Sequence, residues 1–361
     1  MIYLQASTPH ALKEAVPGIS LEEARKIVGA VHRQDCLPRF VEMVRRNSLE
    51  AVRAAGILPR LAVRAVHPSR IDPFVRYAFL TPDGHAVETV RIPLERTGRF
   101  SVCVSSQAGC GFGCSFCATG KMGLIRNLEV WEIVEQVRAV RRGLDRAQLQ
   151  CVHGVVFQGM GEPLANVENV VNAIRVLCEP CAQAIDSRSI TVCTAGLPAG
   201  IRRLAKEAPK VRLAISIGSA RPEVRRALMP IDRVHPLETV LDAVAEHVRV
   251  TRLAPMWAVT PLAGVNDSEE DARALARCAR NFQQKTGLRP QIRVIPYNPI
   301  NGQNPREYKR SDDGRELSFR HILFEEGFSA RKRYSGGADV QAACGQLTGS
   351  DLQKSKNPEF V

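Results

Sequence analysis

From about residue 99 onward, short apolar runs alternate with stretches whose hydrophobic positions recur every three or four residues. The apolar runs fall at 100–104, 154–158, 189–192, 211–217, 255–259 and 291–295, each short enough to be one strand. Between them lie helical faces. Val130, Ile133, Val134 and Val137 form one, on a helix expected to be capped near Asn127. Val167, Val170, Val171, Ile174 and Leu177 form a second, and a third starts at Asp267 or Ser268 and runs through Leu275 and Phe282 to Gly287. Strands that are hydrophobic throughout, each followed by a helix, predict a parallel sheet covered by helices: an α/β fold of six β/α units.

Ahead of these units the pattern changes. Residues 1–60 read as helical, with Leu21, Ala24, Ile27 and Val28 spaced three and four apart and a polar helix start at Asn47-Ser48. Residues 70–93 read as a β-hairpin. Its strands are 74–80 and 86–92, and Pro82-Asp83-Gly84-His85 supplies the turn. Four parts follow: a helical N-terminal accessory domain (1–65), a β-hairpin extension (66–98), the β/α core (99–335) and a C-terminal segment (336–361) that ends in a polar tail, Gln353 to Glu359.

Composition narrows the class. With 361 residues, 45% hydrophobic and 24% charged, the chain can bury a large core. It has no apolar run of about 18 residues, so no membrane span is expected. The N-terminus lacks the basic and apolar regions of a secretory signal, which predicts a cytoplasmic protein. Eleven cysteines in such a chain point to metal or redox chemistry rather than a disulfide scaffold. The net charge of +13 favours a polyanionic partner. Its basic clusters, including Arg45-Arg46, Arg141-Arg142, Arg202-Arg203, Arg225-Arg226 and Arg331-Lys332-Arg333, are scattered in a way that suits a broad basic face.

The densest chemistry is Cys110-x3-Cys114-x2-Cys117, which immediately follows the first core strand. Thiolates are soft ligands that suit iron–sulfur clusters and zinc. Three cysteines leave one corner of a four-iron cluster without a protein ligand, and that iron is open to a small molecule. This spacing, with Phe116 before the last cysteine, is that of radical S-adenosylmethionine (SAM) enzymes. Zinc completed by a distant ligand is the alternative, and Cys178-x2-Cys181 could supply one.

Other candidates follow strand ends, where α/β folds gather function. Gly161 and Glu162, in Gly159-Met160-Gly161-Glu162-Pro163, offer close backbone approach and a carboxylate for the ammonium group of SAM. Asn298 offers an amide for adenine or a carboxylate. Cys103 ends the first strand, and Cys344 lies in Ala342-Ala343-Cys344-Gly345-Gln346-Leu347, where small neighbours leave its sulfur accessible.

In their order, Ser105-Ser106-Gln107-Ala108-Gly109-Cys110, the cysteine loop, Arg126-Asn127-Leu128, Gly159–Pro163, Gly264-Val265-Asn266-Asp267-Ser268, Ile295-Pro296-Tyr297-Asn298-Pro299 and Ala342–Leu347 resemble the RlmN/Cfr family of radical-SAM RNA methyltransferases, across about residues 70–350. The resemblance implies a (βα)6 partial barrel, a [4Fe-4S] cluster on Cys110, Cys114 and Cys117, SAM as methyl donor, and an electron donor such as flavodoxin or ferredoxin. It implies methylation of an adenine carbon in 23S rRNA and, as a further substrate, tRNA. C2 is the expected position and C8 the alternative, with a diverged acceptor as a third reading.

It further implies that Cys344 takes a methyl from one SAM. A second SAM, cleaved to a 5′-deoxyadenosyl radical, then activates that methyl for addition to the base. Cys103 releases the product by forming a disulfide with Cys344, and Glu88 matches the family's proton acceptor. Two stretches depart from the family. Cys193-Thr194-Ala195-Gly196 stands where a serine commonly contacts SAM, and Ser216-Ile217-Gly218 replaces Ser-Leu-His. These substitutions remove two hydrogen-bonding groups, each contributing about 1 kcal/mol net. The N-terminal 60 residues, which help present RNA in the family, also lack its usual pattern.

Overall fold

The computed structural model describes residues 1–145, 147–300 and 308–349; the polar tail lies outside the described residues. A small N-terminal body comes first. It comprises β1 (Ile2–Tyr3), α1 (Pro9–Ala15), α2 (Leu21–Gln34), α3 (Arg46–Ala55) and β2 (Gly56–Ile57), with β1 and β2 paired in parallel. Leu12, Ile27, Val31 and Val52 bury its own core. Ser20 and Glu23 form a capping box at the start of α2, and Glu23 also binds the Arg45 guanidinium. The start expected at Asn47 is one residue inside α3, whose N-cap is Arg45.

Three antiparallel strands follow, β3 (Ala62–Pro68), β4 (Val75–Leu80) and β5 (Ala86–Pro93), one more than the expected hairpin. β3 escapes the periodicity because it is an edge strand with Val63 and Val66 about half exposed. β6 (Arg99–Val104) pairs antiparallel with β5 and opens the parallel part of the sheet. A two-stranded ribbon, β7 (Gln107–Cys110) and β8 (Gly123–Asn127), comes next, carrying the one-turn helix α4 (Ala118–Lys121) between its strands.

The crossovers then repeat. They run α5 (Val130–Arg142) to β9 (Cys151–Phe157), α6 (Val167–Cys178) to β10 (Ile190–Thr194), and α7 (Pro198–Glu207) to β11 (Arg212–Ser216). Next come α8 (Pro222–Leu228) and α9 (Leu237–Thr251) to β12 (Met256–Val259), α10 (Glu269–Thr286) to β13 (Gln291–Val294), and α11 (Asp313–Glu325) to β14 (Ala330–Lys332). The ten-stranded sheet has the order β14-β13-β12-β11-β10-β9-β6-β5-β4-β3, with β6 and β9 to β14 mutually parallel. Thus the six expected core strands are present, and β14 adds a seventh. Glu129 and Glu132, rather than Asn127, cap α5, while Ser268 caps α10.

Alternate residues of each parallel strand divide the two faces. Val192, Leu213, Ile215, Trp257 and Ile292 lie in the main core under the helices. Cys103, Cys193, Ser216 and Ala258 line the cavity on the opposite face. Among the described residues, no helix is long and apolar enough to cross a membrane.

Candidate active site

The cavity sits at the carboxyl ends of the parallel strands. Its walls hold Cys110, Cys114 and Cys117 together with Cys103, Cys193 and Cys344. The first three are displayed on the β7–β8 ribbon. Gly109 makes the ribbon's bulge possible, because its φ is +74° and a Cβ there would lie 2.0 Å from the Gly123 carbonyl oxygen. Ser115 anchors the loop tip by donating its N–H to the Leu228 carbonyl at 3.0 Å. Burial pushes the thiols up, to about 11 for Cys110 and about 12 for Cys114, and Cys117 moves the same way. Deprotonation there needs a positive partner, which a metal supplies as it displaces the protons.

Glu162 occupies the turn after β9. Gly161 must be glycine, since its φ is +95° and a Cβ would meet Gln107 at 2.5 Å. Glu162 is buried, with one carboxylate oxygen accepting the Leu164 N–H at 3.0 Å and the other the Ala195 N–H at 2.9 Å. Burial outweighs these bonds and raises its carboxyl to about 7. An ammonium group placed in the cavity would favour the ionised form.

Ser216 and Gly218 line the cavity, but Ile217 does not. The Ile217 side chain is buried in the helix-side core, its N–H donates to the Ala258 carbonyl at 2.9 Å, and its own carbonyl accepts from Arg225. Gly218 has a φ of +68°, and a Cβ there would lie 2.6 Å from the Met229 sulfur. Asn298 is on the wall, and its amide donates to Ser335 Oγ at 2.9 Å and to the Cys344 carbonyl at 3.3 Å.

The segment around Cys344 is tied down residue by residue. Ala118 N–H donates to the Gly345 carbonyl at 2.7 Å, and Thr119 Oγ1 to the Leu347 carbonyl at 2.6 Å. Gln346 Nε2 reaches the Pro299 carbonyl at 2.9 Å. Thr348 N–H donates to Glu88 Oε2 at 2.8 Å. Glu88 is fully buried and ion-paired with Arg76, and it is not part of the cavity wall.

Cys103 is buried and pushed well above the usual thiol range by burial, with Cys344 acting in the same direction and Arg333 against it. Cys193 is raised to about 12, again mainly by burial. The expected Cys103–Cys344 disulfide is absent, since both are free thiols. Burial disfavours the thiolate of Cys103.

In the sequence Arg225 stands out only as part of a basic cluster. It is fully buried, bonds Asp232 at 2.8 Å, and donates to the carbonyls of Ala195 at 2.9 Å, Ser216 at 2.9 Å and Ile217. It therefore staples together the segments after β10 and β11 that face the cavity. The other sequence clusters are also largely engaged. Arg45 pairs with Glu23, Arg46 with Glu50, Arg142 with Glu135, Arg202 with Glu246 and Arg203 with Glu207, while Arg141 donates to the Gln183 carbonyl. These pairings offset much of the charge of those clusters, whereas Arg331 and Arg333 of the last cluster form no ion pair among the described residues.

Residues 104–276 match the Radical SAM superfamily. A probable RNA methyltransferase of Sorangium cellulosum (strain So ce56) is 56% identical, covering 91% of this chain and 88% of the relative. The dual-specificity RNA methyltransferase RlmN of Syntrophobacter fumaroxidans (strain DSM 10017 / MPOB) is 39% identical, covering 75% of each. The chain belongs to the RlmN/Cfr family of radical-SAM enzymes. Its fold agrees with the crystal structure of a radical SAM methyltransferase from Sphaerobacter thermophilus, with a TM-score of 0.85 and 34% identity over 97% of this chain and 100% of that one. The sheet is accordingly the partial barrel of that family, with the N-terminal helical body and antiparallel extension attached.

A four-iron cluster and SAM are the cofactors of such an enzyme. The residues fit them. Three thiols in Cys-x3-Cys-x2-Cys spacing face one cavity, a soft donor set. One cysteine for each of three irons is the arrangement that suits this donor set. Cys178 packs on the main core and Cys181 on the N-terminal one, away from the cavity wall.

Proposed function

We propose that this enzyme methylates an adenine carbon, C2, in 23S rRNA and tRNA, with Cys344 as the methyl carrier. The observation that supports this reading is the shared cavity: Cys344 and Cys103 face the same space as the three loop cysteines and Glu162. When bound, the cluster and SAM supply the radical chemistry needed at an electron-poor amidine carbon. The chain supplies placement. Cys110, Cys114 and Cys117 hold the cluster, and Gly161, Glu162, Cys193, Ser216, Gly218 and Asn298 surround SAM.

Cys344, held by backbone bonds on either side, presents its sulfur for methyl transfer, a reaction suited to a thiolate. Cys103 is the thiol that frees the product from Cys344. Glu88 matches the family's proton acceptor, but it lies off the cavity wall, pairs with Arg76 and accepts the Thr348 N–H, an arrangement that supports its positioning the Cys344 segment. The accessory body (1–65) and the extension (66–98) present RNA to the core (99–335), and segment 336–361 carries the methyl. A flavodoxin or ferredoxin in a reducing cytoplasm is the proposed electron source. Mass spectrometry of rRNA and tRNA nucleosides from a deletion strain tests this reading: loss of 2-methyladenosine supports it, loss of 8-methyladenosine assigns C8, and no change rejects both.

A further inference from the structure

We infer that the inner face of the sheet carries a track for the phosphodiester backbone of single-stranded RNA, formed by Arg212, Arg293, Arg331 and Arg333. The inference rests on the RNA reading above and assigns it a surface. Ser216, Ala258, Arg293 and Arg331 lie in lateral register across β11, β12, β13 and β14. Residues in lateral register share a face, and Ser216 and Ala258 line the cavity, so Arg293 and Arg331 lie on the cavity side. Arg212 is on that same face of β11, four residues before Ser216. Arg333, two residues after Arg331, reaches the cavity wall, where it donates to Gln158 Oε1 at 2.7 Å.

None of these four guanidinium groups forms an ion pair with a carboxylate among the described residues, whereas most arginines of the sequence clusters do. Arg293 and Arg331 stand directly opposite one another on neighbouring strands, a like-charge arrangement that costs stability. Burial and the charges of Arg331, Arg212 and Arg333 all push the ionisation of Arg293 down, consistent with mutual proximity. A closed barrel fills its interior with packed apolar side chains. Here Arg212 and Arg331 are exposed, so that face is open to solvent beside the edge strand β14.

Anionic ligand is the missing complement. Arg333, at one end of the group, lines the same cavity as Cys344, which favours a strand whose base enters that cavity over a protein electron donor. Tyr334, 68% exposed, stands on the cavity wall next to Arg333 and offers a face for stacking a base beside the reacting one.

The test is fluorescence anisotropy of a labelled single-stranded RNA oligonucleotide with the reconstituted holoenzyme, titrated from about 50 to about 200 mM potassium chloride. Arg212→Gln, Arg293→Gln and Arg331→Gln should each weaken binding and reduce the slope of log affinity against log salt by about 0.7 for each phosphate that is no longer neutralised. The lysine replacements should keep the slope, as should Arg277→Gln on the exposed side of α10. Tyr334→Leu should weaken binding about tenfold with the slope unchanged. Glutamine variants with the wild-type slope would overturn the track while leaving RNA as substrate. Glutamine variants that keep the slope but lose reduction by flavodoxin would assign the face to the electron donor instead. Failure of the wild-type enzyme to bind RNA would reject the RNA reading itself.

Discussion

Glu88 holds Arg76 with one carboxylate oxygen and the backbone N–H of Thr348 with the other, so one buried carboxylate joins β4, β5 and the segment carrying Cys344. Thr348 lies four residues past Cys344, and the bond helps fix where the sulfur stands. Glu88→Gln removes the charge that faces Arg76, and breaking a buried pair costs about 3–5 kcal/mol. The variant should melt at lower temperature, and iodoacetamide should alkylate Cys344 several-fold faster. Unchanged alkylation, read by peptide mass spectrometry, would show that the contact does not position the segment.

The Arg225–Asp232 pair makes a comparable demand on stability. Both side chains are buried, and Arg225 satisfies three carbonyls beside the cavity. Asp232→Asn should destabilise by about 3–5 kcal/mol, which lowers the melting temperature by about 5 °C in a chain of this size. It should also weaken SAM binding, because the segments after β10 and β11 no longer share a firm staple. Calorimetry with and without SAM measures both effects.

Glu162 gives the apo-protein a defined pH dependence. Its carboxyl is raised from 4.5 to about 7, so between these values the folded chain holds a proton that the unfolded chain releases. That contribution is full below about 4.5 and is lost as pH rises through 7. Glu162→Gln cannot titrate, so it should lack this component. The stability of wild type relative to the variant, measured by urea unfolding at several pH values, should fall across this window. A constant difference would mean that burial does not set the carboxyl.

Cys103 differs from the other cavity thiols in being buried at the end of β6. If it frees the product, Cys103→Ser should accumulate RNA covalently attached to Cys344, visible as a retarded band on a denaturing gel. Full turnover without such a species would remove Cys103 from the release step.

Much of this arrangement was legible in the sequence because it rests on local spacing. The cysteine loop, the glycine turn around Glu162 and the periodic helix faces each depend on residues close together in the chain. What escaped depends on partners far apart. β14 is only Ala330–Lys332, and its charged residues carry no apolar alternation: Lys332 meets Asp313 and Glu316 of α11 while Arg331 faces inward. Arg225 looked like one more surface cation, and only the fold brings Asp232 and three carbonyls around it. Ile217 follows Ser216 in a motif, yet strand alternation turns it to the opposite face. Glu88 is named by resemblance alone, and only the fold shows Arg76 and Thr348 enclosing it.

The proposed reaction requires Cys344 to carry the methyl in a cavity shared with the cluster cysteines. Nucleoside mass spectrometry of RNA incubated anaerobically with SAM, reductant and either wild type or Cys344→Ala tests this most directly. Wild type should yield methyladenosine and the variant none, at equal iron content. Methyladenosine from the variant at the wild-type level would rule out Cys344 as the methyl carrier.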